Sequence, residues 1–574
     1  MTGDRDSMTA SDETETKFQH QPYTTATARL AADVIVKERD VHLGEKGVAA
    51  QGNPAGLQAK RAASADTIDG IPKALDSDHP IERGPEGKQP DLLDQTPAGS
   101  SVIRGGALRL GAHVVGALAS VAASAVVIRH LGVIDTGRFI TVMSLVVIAG
   151  SISDLGMSAV GVRDYAVRPL DERHRLLRNL LGMRLAFLVV GVTLATIFAA
   201  AAGYTDAMVL GTVIAGVAMA LLVTQQSLAI LFHVRLRFGT VAGLALFVQI
   251  GVAITAALLA MAGAGLSAFF AVQVPAMVFV LALAVMLGGR DMRALPAFDR
   301  LEWRRMLRQI LPYSAAVILS VLYLRIAQIM VSLLSTGDET GFFGVPFRVL
   351  ETLIAIPPLL ASTALPILAR TARHDADRFA SAGRRLAESM LIAGTGLTIV
   401  VFLSAEFCID LVAGPGFERS VGVLRILAFA LVGTFIIAAR GYSLLALGSM
   451  RAILISNALA LGIVFVVGVP LVHAHGAVGA ALTLLAAELA LAASYELAIT
   501  RSRALLRLSP SFVARVTCAA ALATLPVLLI HLPSLVGAAI AAVIYSILLV
   551  TLGIVPAELR QTLWQRRPPS MGAV

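Results

Sequence analysis

Cysteine is nearly missing from this 574-residue chain. Its two copies, Cys408 and Cys518, fall in different apolar runs and define neither a disulfide framework nor a metal-ligand spacing. Charge is scarce too, at 15% against 56% hydrophobic residues, and mean hydropathy is +0.77. So little charge cannot cover that much apolar surface in water, which excludes an ordinary soluble domain and leaves lipid as the main solvent. Lysine is absent beyond Lys88. No metal box, nucleotide-binding loop or nucleophile constellation occurs, and the loops expected outside the membrane are short, so the chain is not expected to be an enzyme. No cofactor and no nucleic-acid partner is expected.

What charge there is divides unevenly. Residues 1–103 hold 11 Lys+Arg against 17 Asp+Glu, a net −6, whereas the remainder carries +15. The acidic stretch is polar, rich in Asp, Gly, Pro, Ser and Gln, and lacks the apolar core of a signal peptide; it reads as a mostly disordered cytoplasmic tail. Fourteen apolar runs follow between Leu108 and Leu552, each long enough to cross about 30 Å of hydrocarbon at about 1.5 Å per helical residue. The fold class is therefore an all-α integral membrane protein with about 14 transmembrane helices.

Arginine supports that count. Loops on one side carry five arginines between Arg163 and Arg178, then Arg235 and Arg237, six between Arg290 and Arg308, five between Arg370 and Arg385, Arg451, and three between Arg501 and Arg507. The opposite loops hold Arg129, Arg138 and Arg419. Twenty-two against three places the rich side, and both termini, in the cytoplasm.

A weak repeat divides the chain. Asp135-Thr136-Gly137-Arg138-Phe139 opens the second run and Glu339-Thr340-Gly341-Phe342-Phe343 the eighth, each after one long span. Residues 104–299 then form an N-terminal lobe of six spans and 311–507 a C-terminal lobe of six. Residues 508–574 add spans thirteen and fourteen and a short basic tail. Between the lobes, 300–310 reads as an interfacial helix, with Trp303, Met306, Leu307 and Ile310 on one face at headgroup level and Arg304, Arg305 and Arg308 toward anionic lipid.

Several short motifs recur in an order that points to one family. They are Arg129-His130-Leu131-Gly132, Asp154-Leu155-Gly156 and Arg163-Asp164-Tyr165-Ala166; then Leu311-Pro312, Tyr323-Leu324-Arg325-Ile326, Arg348, Glu351 and Ile356-Pro357; then Leu424-Arg425-Ile426-Leu427-Ala428, Asn457 and Gly476-Ala477-Val478-Gly479 with Glu488. In this order the chain, from about Arg104 to Thr500, resembles the polysaccharide transporters, the Wzx-type flippases of the multidrug/oligosaccharidyl-lipid/polysaccharide exporter superfamily. The resemblance implies two six-helix lobes around a central cavity plus two C-terminal helices in a bacterial cytoplasmic membrane. It also implies translocation of a polyprenyl-pyrophosphate-linked oligosaccharide by alternating access, for surface or exopolysaccharide biosynthesis. The implied partners are that lipid-linked oligosaccharide, membrane lipid, and polysaccharide polymerase and export proteins; H+ or Na+ coupling stays open. Family members often carry an acid two positions after the arginine of span seven, where this chain has Ala327. A lipid II flippase and a multidrug or cation antiporter of the same superfamily remain alternatives, and a polysaccharide polymerase or ligase is the enzymatic one.

Ionisable groups within the spans are the candidate cavity residues: Arg325, Arg348, Glu351, Glu488, Arg109 and Asp154. Such groups are costly in lipid and must face protein, water or a ligand. Arg325 reads either as a phosphate contact, which a guanidinium fork suits, or as the partner of a carboxylate on another helix. Arg348 and Glu351, three apart, read first as a self-neutralised pair. Glu488 reads as the partner of Arg325 or Arg348, or as a proton-coupling acid. Asp154 suits a helix end or a lobe contact. Arg109, Arg184 and Arg440 read as anchors reaching the cytoplasmic surface, with Arg109 also able to meet an entering phosphate. Gln225, Gln226, Gln249, Gln273 and Asn457 read as interhelical bonding groups or a sugar-facing surface.

Overall fold

The computed structural model describes residues 96–157, 161–162, 164–165, 168–234, 237–289, 295–502, 506–530 and 532–554, with side chains from Val115 onward except at 170, 171, 238, 309, 312, 313 and 502. The acidic stretch up to residue 95 lies outside the described residues. The first helix begins at Thr96, so helical backbone reaches back into the last residues assigned to the tail.

Sixteen helices and no strand occur among the described residues. In order they are α1 (Thr96–Asp154), α2 (Leu170–Ala201), α3 (Asp206–Val234), α4 (Phe238–Met261), α5 (Leu266–Phe270), α6 (Val274–Gly288), α7 (Arg300–Leu334) and α8 (Gly337–Ile354). There follow α9 (Ile356–Ser362), α10 (Leu365–His374), α11 (Ala376–Leu403), α12 (Ala405–Val412), α13 (Glu418–Ala446), α14 (Met450–Ser502), α15 (Pro510–Ile530) and α16 (Ser534–Thr551). Local chemistry sets many starts. Asp299, Thr336 and Asp375 cap α7, α8 and α11 by accepting first-turn N–H groups, and prolines open α6, α9 and α10, where no intrahelical N–H is needed.

Twelve of the described helical segments are long and apolar enough to cross a membrane. Two of them are broken by a glycine in a left-handed conformation, Gly132 (φ 71°) in α1 and Gly476 (φ 52°) in α14, and each supplies two crossings. Fourteen crossings result, in the places that the sequence indicates, and the chain is a multi-pass membrane protein. Span six is interrupted before Pro275, and span eight at Ala355, before Pro357 and Pro358.

Helices α1–α6 form one bundle and α7–α14 the other. The last two helices lean on α11, burying Phe512, Val516, Ala519 and Tyr545 against Leu391, Ile399 and Leu403. The linker differs from expectation. Residues 300–310 and span seven are one continuous 35-residue helix, and its apolar face does not meet the headgroups. Met306 and Ile310 are buried with Leu155, Leu176, Leu180, Met183 and Ile230 of the first lobe, and Trp303 and Leu307 pack on the same cluster. Arg304, Arg305 and Arg308 stay exposed. An apolar stripe takes the nearest dry surface, and the converging ends of α1, α2 and α3 offer one. The chain leading into α7 is tied to α2: Ala297 N–H donates to the Arg178 carbonyl (3.0 Å), Asp299 N–H to Asn179 Oδ1 (2.8 Å), and Arg168 pairs with Glu302 at 2.5 Å.

A second set of lobe-to-lobe contacts lies at the arginine-poor end, where the repeat's two glycines meet. A Cβ on Gly137 would lie 2.7 Å from the Gly341 nitrogen, and one on Gly341 would lie 2.2 Å from the Val133 carbonyl oxygen, so backbone packs on backbone. Beside them, buried Gln328 of α7 donates to Thr141 Oγ1 (3.2 Å) of α1, and Tyr204 and Ser332 share a 2.6 Å bond. Arg129 closes the rim by donating to the carbonyls of Asp410 (2.8 Å) and Leu411 (2.9 Å) at the C-terminal, negative end of α12.

Candidate functional site

Below that seal lies a cavity of about 280 Å³. Its wall is mostly first-lobe: Ser120, Ser124 and Ile128 from the first half of α1, Phe139, Met143 and Val147 from the second, Leu222 of α3, Gln249 of α4, and Gln273 and Met277 around the start of α6. The second lobe supplies the charges, Arg325 from α7 and Arg348 and Glu351 from α8. The volume sits at the lower edge of the roughly 300 to 1,000 Å³ typical of ligand pockets.

These three side chains form one cluster. Glu351 accepts from Arg325 through one carboxylate oxygen and from Arg348 through the other, the latter at 2.9 Å. Arg348 also donates from Nε to Ser124 Oγ (3.2 Å) and from Nη2 to Ser120 Oγ (3.4 Å), while the Arg325 guanidinium lies 5.5 Å from the Phe347 ring centre. Two cations share one anion, so the cluster carries a net +1 into a partly polar cavity. Exposure ranks the cations: the Arg348 side chain is 40% exposed and that of Arg325 12%. Arg348 is thus the more accessible cation of the two, and Glu351 bridges them. The acid missing at Ala327 is thus supplied by Glu351, from the next helix.

The other candidates lie elsewhere. Glu488 does not join Arg325 or Arg348, contrary to the expected pairing. It is buried inside the second lobe, accepting from the Tyr323 hydroxyl (2.9 Å) and the Thr434 hydroxyl (3.1 Å), because α7 and α13 rather than α8 flank it. Asp154 is not among the cavity-lining residues and pairs with Arg184 at 2.9 Å. Arg109 lies on α1, but its side chain is outside the described residues.

Arg184 and Arg440 do not reach the surface as expected. Arg184 is 1% exposed and held by Asp154, Ser227 (3.0 Å) and Gln226 (3.1 Å). Arg440 is fully buried, forked onto Glu496 at 2.5 and 3.0 Å, and also donates to the Leu506 carbonyl at 2.8 Å. A carboxylate within reach removes the drive to snorkel. Distance along a helix does not reveal it, and Glu496 escaped the sequence reading although it follows Glu488 by two turns on the same helix. Of the spanning amides, Gln249 and Gln273 line the cavity, Gln226 holds Arg184, and Asn457 contacts the Ala316 carbonyl and Tyr495 at 3.4 and 3.5 Å. Ser120 and Ser124, one turn apart on α1, were the other omission; an i, i+4 pair of serines on an apolar helix was the available signal.

This fold is shared with a class of solved membrane transporters. Among them, the lipid II flippase MurJ in its inward closed conformation superposes with a TM-score of 0.64, at 12% identity, covering 78% of this chain and 98% of that one. A multidrug resistance MATE family transporter of the MOP superfamily, in its inward-facing conformation, gives 0.55 at 13% identity, covering 70% and 98%. At those identities the likeness is one of fold. No protein-family model and no curated protein matches the sequence.

Proposed function

We propose that the chain is a flippase of the multidrug/oligosaccharidyl-lipid/polysaccharide exporter superfamily. In this reading it moves polyprenyl-pyrophosphate-linked oligosaccharide units across the cytoplasmic membrane by alternating access, with its arginine-rich end in the cytoplasm. The observation that carries the reading is the cavity cluster of Arg325, Arg348 and Glu351. A diphosphate crossing hydrocarbon needs fixed cations in place of water, and guanidinium forks match phosphate oxygens. Ser120, Ser124, Gln249 and Gln273 supply hydroxyl and amide partners suited to sugar hydroxyls on the same wall. The net positive cluster favours an anionic cargo over the cations a multidrug antiporter would carry. The likeness in fold to a lipid II flippase supports a lipid-linked substrate, and lipid II itself is the runner-up cargo. Energy coupling to H+ or Na+ is assigned to Glu488, whose described contacts are two hydroxyls.

The test is deletion of the gene followed by lipid analysis. Lipid-linked repeat units are expected to accumulate on the cytoplasmic face while surface polysaccharide is lost. Normal surface polysaccharide with no such accumulation contradicts the reading.

A further inference from the structure

A second, larger hollow lies far from the charge cluster in sequence and shares no lining residue with its cavity. It is a groove of about 1140 Å³ between the last turns of α14 and the first half of α15. Its walls are apolar, with Leu497 on one helix and Val513, Ala514 and Ala521 on the other. Its base is fixed and already neutralised: Glu496 is forked by Arg440 and accepts the Leu508 N–H at 3.2 Å. Its mouth is cationic. Arg501 ends α14 and Arg507 precedes α15; both line the groove, both are exposed, and neither has an acidic partner among the described residues.

Depth identifies the kind of occupant. On α14 the lining runs from Ala493 to Arg501, about 12 Å of helix, and on α15 from Pro510 to Ala521, about 16 Å. Half of a hydrocarbon core of about 30 Å is one leaflet. The groove is therefore one leaflet deep, apolar along its length and doubly cationic at the membrane surface. Basic pockets between helices on the cytoplasmic side suit anionic headgroups.

We propose that this groove holds one anionic phospholipid from the leaflet at the arginine-rich end. Its phosphate sits between Arg501 and Arg507, and an acyl chain lies along α14 and α15. The occupant is a resident membrane lipid that braces α15 against the second lobe; it is not the transported cargo, whose headgroup belongs with Arg325.

The test uses the full chain in nanodiscs of phosphatidylcholine doped with a photoactivatable phosphatidylglycerol, paired with native mass spectrometry of the protein released in mild detergent. The wild type is expected to retain one phosphatidylglycerol, and photolabel should map to peptides covering 493–501 and 510–521. The double variant Arg501→Gln/Arg507→Gln should bind it about thirtyfold more weakly, roughly fivefold per arginine. Labelling of the wild type elsewhere on the protein overturns the proposal without recourse to any variant. So does equal retention by the double variant, or recovery of a polyprenyl lipid from the groove in place of phosphatidylglycerol.

Discussion

Arg440 and Glu496 show what a single residue contributes to this molecule. The guanidinium is fully buried, and its two bonds to Glu496 and one to the Leu506 carbonyl tie the end of α13 to α14 and to the loop before α15. Removing one member strands a charge away from water, which costs about 3 to 5 kcal/mol, whereas replacing both by apolar residues is nearly neutral. Arg440→Ala should therefore lower the unfolding midpoint in detergent by several degrees, and Arg440→Leu with Glu496→Leu should recover most of the loss; equal losses would show that the pair does not act as a unit. Asp299 carries a different sign. Arg175's N–H bond, followed by the Glu302 backbone N–H, holds its carboxyl below the ordinary value of 3.8. A depressed value means that its contribution is complete at neutral pH and is lost as pH falls through the lowered value. Exchange protection factors at the Leu301 and Glu302 amides should stay high down to the ordinary carboxyl value of 3.8 and fall below it, while Asp299→Asn should give lower protection at neutral pH that does not change across that range. At this scale the sequence named the charged residues and the Arg348–Glu351 pair, three apart on one helix, but not the partners on other helices, since those depend on which helices adjoin: Ala327 offers Arg325 no acid, and Glu351 reaches it only because α8 folds back along α7.

Among the elements, the crossings were legible because each must present about twenty apolar residues to lipid, and the arginine alternation fixed their number independently. Residues 300–310 were misread for a reason of the same kind. An amphipathic face announces that it will be buried but not whether lipid or protein buries it, and Met306 and Ile310 found protein. The short repeat had more meaning than its three identical residues in five suggested, since Gly137 and Gly341 touch and seal the arginine-poor end. That seal predicts a lock. Gly337 and Ile134 face each other across it, with a Cβ on Gly337 falling 3.3 Å from Ile134 Cγ2. Ile134→Cys with Gly337→Cys, in a chain with Cys408 and Cys518 replaced by serine, should crosslink readily under oxidation and stop transport until a reductant is added. Transport that continues while crosslinked would show that this end need not open.

Across the whole molecule, the closure of the arginine-poor end over the charge cluster is the main result. Glycine contact, Gln328, Tyr204 and Arg129 close one end, and the charge cluster lies beneath them in a cavity of about 280 Å³. That space admits a diphosphate and a few waters but not an oligosaccharide, so the proposed transport requires the lobes to part. The direct measurement is flipping of a fluorescent polyprenyl-pyrophosphate oligosaccharide by purified protein in liposomes, comparing wild type with Arg325→Ala and Arg325→Lys. A charge-assisted bond to phosphate is worth about 1.5 to 3 kcal/mol, so the alanine variant should flip about tenfold to a hundredfold more slowly and the lysine variant should fall between the two. An undiminished rate in Arg325→Ala would contradict the account.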